Sequence, residues 1–402
     1  MTMKPVVSVA GVAAVFMVAA NARAQWTVTN LHPAGATEAR AFAVSGLQQA
    51  GVASIAGSER ASRWSGTAAS RVDLHPAGAT GSTAFAVSGA QQGGSATVGG
   101  VTRASLWNGT AASWVDLHPA GATRSIVLGM SGSQQVGYAL IGGDEHASLW
   151  TGTAASKVDL HPAGAAYSIA HATSGTQQVG EALVGGVLRA GMWSGTAASW
   201  VSLNPTGSVQ STALAATGSQ QAGWAIVGGV TRASLWSGTA ASWVDLNPAG
   251  SASSQVLAAS GSKQVGFAVV GGVTRASLWS GSGASWVNLG TFLPAGFTES
   301  YATGIAIDGA NTYVTGYGFN TMTGRNEAVL WANLGPACDS VDFNGDGLFP
   351  DTDDISHFIA VFGGAPCPTG TCGDIDFNND GLFPDTDDIG ALIRVFGGGA
   401  CV

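Results

Sequence analysis

Charged side chains are scarce in this chain of 402 residues, of which only 10% are Asp, Glu, Lys or Arg. So few charges exclude a long solvated helical protein, which needs ionic side chains on its outer faces. Basic residues are sparse too, so no nucleic-acid partner is expected. The 60 glycines follow no period of three, which excludes collagen. Hydrophobic residues make up 46%, too many for a disordered chain, so a protein with a real core is expected.

The net charge of −9 is unevenly distributed along the chain. From Cys338 onward, 12 Asp accompany a single basic residue, Arg394, and the segment carries −11. The preceding residues carry +2. Two different domains are therefore expected, with a boundary shortly before Cys338.

The N-terminal residues 1–24 have the pattern of a secretory signal peptide. Lys4 supplies the positive charge, an apolar run follows over 6–20, and Ala22-Arg23-Ala24 is a small-x-small cleavage site. The apolar run is shorter than the roughly 20 residues that a membrane span needs. We therefore expect cleavage, no transmembrane segment afterwards, and a mature protein that is secreted or held at the cell surface.

Tryptophan recurs every 43 residues, at positions 64, 107, 150, 193, 236 and 279, with a seventh equivalent at Trp331. Turn signals divide each unit into four short apolar segments, which in the second unit are roughly 83–88, 94–99, 103–108 and 113–117. Four strands per repeat of about 43 residues are typical of a β-propeller blade. A β-solenoid is the alternative, but its coils are usually shorter.

The two ends of the repeat region fit together. The segment 25–33 matches only the fourth strand of a unit, whereas the seventh unit stops after its third strand, at Trp331. An N-terminal strand that completes the last blade would close the ring and remove exposed sheet edges. We therefore predict an all-β fold over residues 25–336, a seven-bladed β-propeller of four-stranded repeats closed by the N-terminal strand.

One unit contains His146-Ala147-Ser148-Leu149-Trp150, and the other units place Arg or Glu at the histidine position. Together with Gln135-Val136-Gly137, this pattern resembles the extracellular HAF repeat, named after its His-Ala-Phe tripeptide. The resemblance covers nearly all of residues 25–336. It implies an exported repeat protein and carries no general enzymatic assignment.

The repeated polar residues of the propeller are not expected to be catalytic, because rotation makes them equivalent and a catalytic site needs side chains in different roles. Asp73, Asp116, Asp159 and Asp245 are expected to bond turn backbone groups. A ring of metal-binding histidines from His32, His75, His118 and His161 is disfavoured by the blade spacing. We expect no catalytic residue, no cofactor in the propeller and hence no enzyme. Better candidates for ligand binding are the residues that break the repeat: Tyr138, Asp144, Glu145, His146, Tyr167, His171, Glu181 and Trp224.

The acidic tail contains two copies of one pattern, 34 residues apart. Asp-x-Asn-x-Asp-Gly places oxygen ligands at loop positions 1, 3 and 5 before a turn glycine, as a calcium loop does. Leu348 and Leu382 would contribute backbone carbonyls. The closing carboxylate is left open between Asp353 and Asp354, and between Asp387 and Asp388. Two Ca²⁺ ions are predicted, and the candidate ligands are Asp342, Asn344, Asp346, Leu348, Asp351, Asp353, Asp354, Asp376, Asn378, Asp380, Leu382, Asp385, Asp387 and Asp388.

One helix is expected after each loop, beginning near Ile355 and Ile389 and carrying an apolar stripe that includes Ile359 and Ile393. A loop followed by a helix, twice, without an entering helix, resembles the dockerin module of two half EF-hands. The resemblance covers 338–402 and implies calcium-dependent docking to a cohesin-like partner, although bracketing cysteines and the doubled Asp depart from the pattern.

All four cysteines lie in this tail, and an even count in an exported segment favours disulfides over zinc. Three connectivities are possible. We expect Cys338–Cys367 and Cys372–Cys401, since each pair brackets one repeat.

The sequence therefore predicts an exported, non-enzymatic binding or scaffold protein. The propeller would be an interaction head, and the tail would dock to a cohesin-like or other cell-surface protein. Alternatives are a carbohydrate-active enzyme, a polysaccharide-binding protein, or a purely structural envelope protein.

Overall fold

In a computed structural model, the structure describes residues 26–334, 340–348, 351–367, 372–373, 375–378 and 385–397. The expected signal peptide, Cys338, Cys401, Asp380 and Leu382 lie outside these residues. The chain divides into two units, Trp26–Leu334 and a C-terminal unit that contains the residues described from 340 onward. No helix in the described part of the chain is long and apolar enough to cross a membrane.

The described residues of the first unit form seven four-stranded antiparallel sheets. The strands in chain order are β1 (Thr27–Asn30); β2 to β5 of blade 1 (Ala36–Ser45, Gln48–Ile55, Ser58–Trp64, Val72–Asp73); β6 to β9 of blade 2 (Ala79–Ser88, Gln91–Val98, Val101–Trp107, Val115–Asp116); β10 to β13 of blade 3 (Arg124–Ser131, Gln134–Ile141, Asp144–Trp150, Val158–Asp159); β14 to β17 of blade 4 (Ala165–Thr173, Gln178–Val184, Val187–Trp193, Val201–Ser202); β18 to β21 of blade 5 (Ser208–Thr217, Gln220–Val227, Val230–Trp236, Val244–Asp245); β22 to β25 of blade 6 (Ser253–Ser260, Lys263–Val270, Val273–Trp279, Val287–Asn288); and β26 to β28 of blade 7 (Phe297–Asp308, Asn311–Asn320, Arg325–Asn333).

The N-terminal strand completes the seventh blade. β1 pairs antiparallel with β28, so that Thr27 lies opposite Ala332 and Asn30 opposite Val329. Blade 7 in turn meets blade 1, where the Thr303 hydroxyl donates to the carbonyl of Ala41 at 2.7 Å. The predicted seven-bladed, all-β propeller closed by its first strand is therefore confirmed.

Glycine occupies two kinds of restricted position, which blade 2 illustrates. In the hairpin between β7 and β8, Gly99 and Gly100 both have positive φ, 61° and 78°, which suits the tight turn that matches strand twist. On β7, a Cβ at Gly94 would overlap the carbonyl oxygen of Thr83 on β6. The abundance of glycine thus has a steric cause in both turns and strand pairs.

The core lies between neighbouring blades. Trp107 is fully buried and packs with Leu74 of blade 1 and with Ala84 and Ala96 of its own blade. The six tryptophans equivalent to it are fully buried as well: Trp64, Trp150, Trp193, Trp236, Trp279 and Trp331. Each indole fills the space between two neighbouring blades and is surrounded mainly by small side chains. Replacing such a buried tryptophan with alanine would destabilise the fold by about 3–5 kcal/mol.

The strand boundaries of blade 2 differ from the expected ones, and the outer strand is shorter than predicted. The segment expected at 113–117 pairs only over Val115–Asp116, because Ala111–Ser113 forms a single 3₁₀ turn. Ser113 fixes this turn, since its hydroxyl donates to the carbonyl of Thr110 and accepts from the N–H of Asn108. The first two strands are longer than predicted.

The described residues of the C-terminal unit include two helices, α1 (Thr352–Phe362) and α2 (Thr386–Phe396). They begin three residues before the predicted starts, because the Asp351 and Asp385 carboxylates cap the first turns. Buried Phe343, Phe358, Phe377 and Leu392 are among the residues that form the core of this unit. The expected apolar stripe is only partly buried, since Ile359 and Ile393 are exposed.

The predicted disulfide pairing is wrong. Cys367 is bonded to Cys372, with Cα atoms 5.7 Å apart. The bridge therefore closes the short link between the two repeats and does not bracket a repeat. The sequence argument failed because it considered the symmetry of the cysteines and not the length of chain between them.

Candidate functional site

The repeated histidines of the propeller belong to a structural network. The Nε2–H of His75 donates to the carbonyl of Ala79 at 2.9 Å, so Nδ1 is the acceptor from the Ser82 hydroxyl at 2.8 Å. That hydroxyl oxygen in turn accepts from the N–H of Ala61. A neutral imidazole therefore bonds through both nitrogens, and neither is free for a metal.

The same bonds recur at His118 and His161. In blade 4 the amide of Asn204 takes this place, and its Oδ1 accepts from the Ser211 hydroxyl at 2.6 Å. The position thus requires a side chain that accepts a hydrogen bond from the serine hydroxyl. Burial lowers the pKa of His161, and the nearby His146 ring lowers it further.

The repeated aspartates are also structural, as expected. Asp116 accepts from the N–H of His118 at 2.8 Å and pairs through its other oxygen with Arg103 at 2.8 Å. Equivalent pairs are Arg60–Asp73, His146–Asp159 and Arg232–Asp245. The position that carries His in the HAF pattern is therefore the partner of the outer-strand acid.

In blade 7, where the N-terminal strand closes the propeller, the acid lies on the third strand and its partner lies on the outer strand. Glu327 on β28 is buried, and its carboxylate accepts from Asn30 of the N-terminal strand at 2.8 Å. Asn320, Thr323 and Arg325 donate to the same carboxylate. Burial works to raise the pKa of Glu327, but these donors hold it below its ordinary value.

The asymmetric part of the propeller lies along its central channel. Each first strand has a β-bulge at the same place, and the bulged residue faces the channel; these residues are Phe42, Phe85, Leu128, His171, Leu214, Leu257 and Thr303. Bulges re-aim side chains in this way. Together with their neighbours they line a cavity of about 190 Å³.

The aromatic side of the cavity lining consists of Phe42 and Phe85, which belong to a larger aromatic cluster. Phe42 lies 5.6 Å from Phe85 and 6.5 Å from Tyr317 between ring centroids. Tyr317 stacks on Tyr301 at 5.0 Å, and Tyr301 meets Phe267 edge-on at 5.3 Å. These five aromatic side chains contact one another in sequence across blades 6, 7, 1 and 2.

At blade 4, the channel-lining residue His171 lies next to a polar cluster that Glu181 and Thr212 form between blades 4 and 5. Glu181 accepts from the Thr212 hydroxyl at 2.6 Å, and its Oε2 lies 3.7 Å from Nε2 of His171. Burial works to raise the pKa of Glu181, but His171 and Thr212 hold it below its ordinary value. The carboxylate is therefore ionised at neutral pH.

Four further residues that break the repeat lie in blades 3, 4 and 5, namely Tyr138, Glu145, Tyr167 and Trp224. The guanidinium of Arg124 lies 5.5 Å from the Tyr138 ring centroid. Burial raises the pKa of Tyr167, and the charges of Glu181 and Glu145 act in the same direction. Trp224 lies directly opposite Thr212 on the neighbouring strand.

Asp144 and His146 lie on β12 away from the channel. His146 stacks on the His161 ring at 4.1 Å and bonds to Asp159.

The sequence identified Glu181 and His171 separately, but it missed Thr212, the bulged residues of the first strands and the aromatic side. The sequence signal for the bulged residues is a larger side chain between small ones at a fixed place in the first strand, as in Ala41-Phe42-Ala43 and Ala84-Phe85-Ala86.

Every tryptophan of the described propeller is fully or partly buried. Trp107 is fully buried, whereas Trp114 is half-buried and donates through Nε1 to the Ser105 hydroxyl at 2.9 Å. Trp114 lines a shallow cleft of about 490 Å³ with His75 and Pro76. Packing is thus the main role of these rings.

The first acidic loop of the C-terminal unit is a turn built on carboxylates. Asp342 accepts from the N–H groups of Asp346 and Gly347, each at 3.0 Å. Asn344 Oδ1 accepts from Asp346, and Asp346 accepts from Leu348. These oxygen atoms belong to the residue types that hard cations prefer.

The candidate closing residues differ in burial. Asp354 and Asp388 are fully buried, and each accepts from the backbone N–H of the loop asparagine, Asn344 at 3.4 Å and Asn378 at 3.5 Å. Asp353 and Asp387 are exposed. Burial raises the pKa of Asp388, and the carboxylates of Asp385 and Asp376 act in the same direction.

Within the described ranges, no group of three or more His, Cys, Asp or Glu side chains is arranged to hold a metal ion. The donor set nevertheless consists of oxygen atoms, with a buried carboxylate in each repeat, and so fits calcium in kind. Asp380 and Leu382 of the second loop lie outside the described residues.

No family model and no curated protein matches the chain. Among solved structures, it is similar to puromycin hydrolase in a mutant complexed with PGG (TM-score 0.50, 12% identity, 72% of this chain and 53% of that one). It is also similar to the β-propeller domain of the Trilobed protease from Pyrococcus furiosus (TM-score 0.49, 9% identity, 74% and 94%). TolB from Acinetobacter baumannii follows (TM-score 0.41, 11% identity, 62% of each).

At these identities the likeness shows the fold alone. The chain spans about half the length of the hydrolase. The comparison overturns the prediction that the chain is no enzyme, because a propeller of this kind is found in a hydrolase. The prediction rested on rotational equivalence of the repeated residues, and the channel lining is not equivalent.

Proposed function

We propose that this is an exported protein whose propeller is a binding head and whose C-terminal unit docks to a cell-surface protein when it holds two Ca²⁺ ions. The observation that carries the proposal is the buried carboxylate found once in each loop-helix repeat, Asp354 and Asp388. A buried acid surrounded by further acids is costly unless a cation compensates it.

The first loop would hold its ion through Asp342, Asn344, Asp346 and the carbonyl of Leu348, with Asp354 as the closing carboxylate. Asp354 is favoured over Asp353 because it faces the loop backbone at Asn344, whereas Asp353 is exposed. The equivalent choice in the second loop is Asp388. Asp351 and Asp385 cap the helices and would hold the loops in shape.

When bound, calcium would supply positive charge that lets these carboxylates converge. The chain's own contribution is the placement of each helix: Asp354 ties the first turn of α1 to the loop, and Asp388 does the same for α2. Ion binding and helix placement would therefore be coupled.

The docking surface would lie on the exposed faces of the two helices. Ile359 is 57% exposed and Ile393 is 60% exposed, and the two residues occupy the same position in their repeats. Exposed apolar side chains of this size at matched positions favour a protein partner. Resemblance to dockerin suggests a cohesin-like one.

Calorimetry on the mature full-length chain tests the calcium proposal. A scan with calcium and one with chelator should differ in the transition of the C-terminal unit, which chelation lowers, while the propeller transition hardly moves. Titration should show two bound ions. Identical scans, or no calcium uptake, would make the proposal wrong.

Pull-down from the producing organism's outer-surface fraction tests docking. We expect a partner that is retained with calcium and lost with chelator, and lost with calcium present when Ile359 and Ile393 are both replaced by Ser. Exposed Leu47 of the propeller, replaced by Ser, is the matched control. Retention that ignores both calcium and the isoleucines contradicts the proposal.

Export is tested by fractionation and by mass spectrometry of the mature N-terminus. The proposed cleavage after Ala24 gives a chain that begins at Gln25. A cell-associated chain that keeps residues 1–24 would contradict it.

A further inference from the structure

Hydroxyl groups surround the end of the central channel that lies at the hairpins between the first and second strands. In blades 1 to 6, the first strand ends at or next to a Ser or Thr that lines this end of the channel. These residues form the hydroxyl ring: Ser45, Ser88, Ser131, Ser174, Thr217 and Ser260. Blade 7 has Asp308 at the equivalent place, but Asp308 is exposed and lies outside the lining.

The hydroxyl ring surrounds a vestibule of about 410 Å³ with an apolar floor. Val44, Val87, Met130 and Ile305 line both this vestibule and the smaller cavity of about 190 Å³ that continues it along the channel. None of the described residues that line the vestibule is charged. A bound ion would find no opposite charge there, so a neutral ligand is favoured.

Half of the hydroxyl ring is free to bond a ligand. Within the described part of the chain, the hydroxyls of Ser131, Thr217 and Ser260 make no hydrogen bond, and none of the three is buried away from solvent. A hydroxyl can donate one hydrogen bond and accept two. These side chains therefore offer both donors and acceptors to the vestibule.

The other half is partly used by the protein. The hydroxyls of Ser45 and Ser88 accept from backbone N–H groups of the next blade, at 3.3 Å and 3.0 Å, and keep their own protons available. Ser174 contributes only to the wall, because its Oγ is buried. The hydroxyl ring is thus strongest as a partner at blades 3, 5 and 6.

The hairpins that carry the hydroxyl ring are fixed in place by buried glutamines. In blade 2, the Nε2 of Gln92 donates to the carbonyl of Ala90 in the hairpin at 2.8 Å, and its Oε1 accepts from the N–H of Gly109 at 2.9 Å. The same two bonds recur at Gln49, Gln135, Gln221 and Gln264. A site that is rigid before binding loses little conformational freedom when a ligand enters.

The vestibule matches the chemistry of a pyranose, which carries hydroxyls around its edge and C–H groups on its faces. A water molecule occupies about 30 Å³, so the space has room for one sugar ring. Edge hydroxyls of the sugar can exchange hydrogen bonds with Ser131, Thr217 and Ser260. A C–H face can pack on the floor at Val44 and Ile305.

We propose that the vestibule binds one neutral sugar ring. This assigns a ligand class to the binding head and so rests on the proposed function, whereas calcium uptake by the other unit does not depend on it. The sugar can be a free monosaccharide or the end of a polysaccharide, because both present the same ring.

Calorimetric titration of the mature full-length chain in calcium buffer tests the ligand class. The probes are the methyl glycosides of glucose, galactose and mannose, which differ only in configuration, and cyclohexylmethanol, which has a ring of the same size and one hydroxyl. We expect at least one glycoside to bind at least about tenfold more tightly than cyclohexylmethanol, since it makes more hydrogen bonds. No binding of any glycoside, or affinities equal to that of cyclohexylmethanol, overturn the inference.

Removal of hydroxyls locates the site without filling it. Ser131→Ala with Ser260→Ala should weaken binding of the glycoside at least about tenfold. The matched control is Ser65→Ala with Ser237→Ala, at exposed positions outside the vestibule, and it should leave binding unchanged. Unchanged binding in the first double variant overturns the inference, while calcium titration of the same variant still reports on the C-terminal unit.

A second pair of variants fills the space. Thr217→Trp places an indole in the vestibule and should abolish binding of the glycoside. Ser219→Trp places the same indole at an exposed position of the same hairpin, outside the vestibule, and should leave binding unchanged. Binding that persists in Thr217→Trp, or that is lost equally in both variants, contradicts a site in the channel.

The trisaccharide of the hexose that binds distinguishes the two sources of the sugar. A trisaccharide that binds as tightly as the methyl glycoside, or more tightly, identifies the end of a polysaccharide as the ligand. A trisaccharide that binds at least about tenfold more weakly identifies a free monosaccharide.

Discussion

Repetition has opposite meanings in the two units of this molecule. In the propeller, the residues that recur are satisfied by partners that recur with them: His75 by Ser82 and Ala79 of the next blade, and Asp116 by Arg103 of its own blade. In the C-terminal unit, the residues that recur are acids in excess of the basic groups around them. A repeated residue is therefore structural where its partner is repeated with it, and a candidate ligand where the partner is missing.

The same criterion applies inside the propeller to residues that do not recur. Glu327 is unique, but Asn30, Asn320, Thr323 and Arg325 satisfy it. Glu181 is also unique, and in the described part of the propeller His171 lies 3.7 Å from its carboxylate and Thr212 donates to it. By this criterion both unique acids have partners within the propeller.

The largest effect is expected from removal of the buried acids of the C-terminal unit. At a calcium concentration about a thousand times Kd, each ion stabilises the folded unit by about 4 kcal/mol. The variant Asp354→Asn with Asp388→Asn should lose most of this, and calorimetry should show its transition in calcium at the temperature that chelator gives. The matched control, Asp353→Asn with Asp387→Asn, removes as many charges at exposed positions. If the control loses more than the buried pair, the closing ligands are Asp353 and Asp387.

The next largest effect is expected at the ring closure. Glu327→Ala leaves its donors unpaired next to a buried site, which costs about 3 kcal/mol. Chemical denaturation should show a lower midpoint for the propeller, whereas Glu59→Ala, at an exposed position in the equivalent strand of blade 1, should not shift it. An unshifted midpoint for Glu327→Ala would mean that the N-terminal strand is held by its backbone bonds alone.

A pH effect follows from the histidine network. Burial lowers the pKa of His161 and of His32, so the unfolded chain binds a proton more readily than the folded one. Stability is therefore full above about pH 6.5, the ordinary value for histidine, and is lost as pH falls below it. The loss per histidine should stay below about 1.4 kcal/mol for each pKa unit.

Asparagine provides the control, because Asn204 and Asn247 follow blades 4 and 5 and accept from the equivalent serines, Ser211 and Ser254. His161→Asn should retain the bond to Ser168 and flatten the pH dependence of the propeller melting temperature between pH 7.5 and pH 5.5. A variant as sensitive to acid as the parent would place the effect elsewhere.

Much of the fold follows from the sequence, and the reasons are local. The tryptophan spacing gives the blades, and the unmatched strand at each end gives the closure. The channel ring does not follow, because Phe42 and His171 sit in bulges, where the alternation of side chains that predicts strand faces breaks down. Thr212 was missed because its partner Glu181 comes from the preceding blade, 31 residues away. The Cys367–Cys372 bridge was missed because cysteine symmetry carries no information on distance.

The smallest effect on stability is expected from adding the repeated Arg–Asp ion pair to a blade that lacks it. In blade 4, Arg189 occupies the position of Arg60 and Arg103, but the outer strand offers Ser202 in place of an acid. Ser202→Asp should pair with Arg189 and keep the bond that Ser202 already accepts from the N–H of Asn204 at 3.3 Å, a bond that Asp116 accepts from His118 at 2.8 Å. A partly exposed ion pair of this kind stabilises by about 0.2–1 kcal/mol, and high salt should reduce the gain. Ser202→Asn, the residue type of Asn288 in blade 6, supplies the backbone bond without the charge. A gain of the same size in both variants would show that the turn bond, and not the ion pair, is what each repeated aspartate contributes.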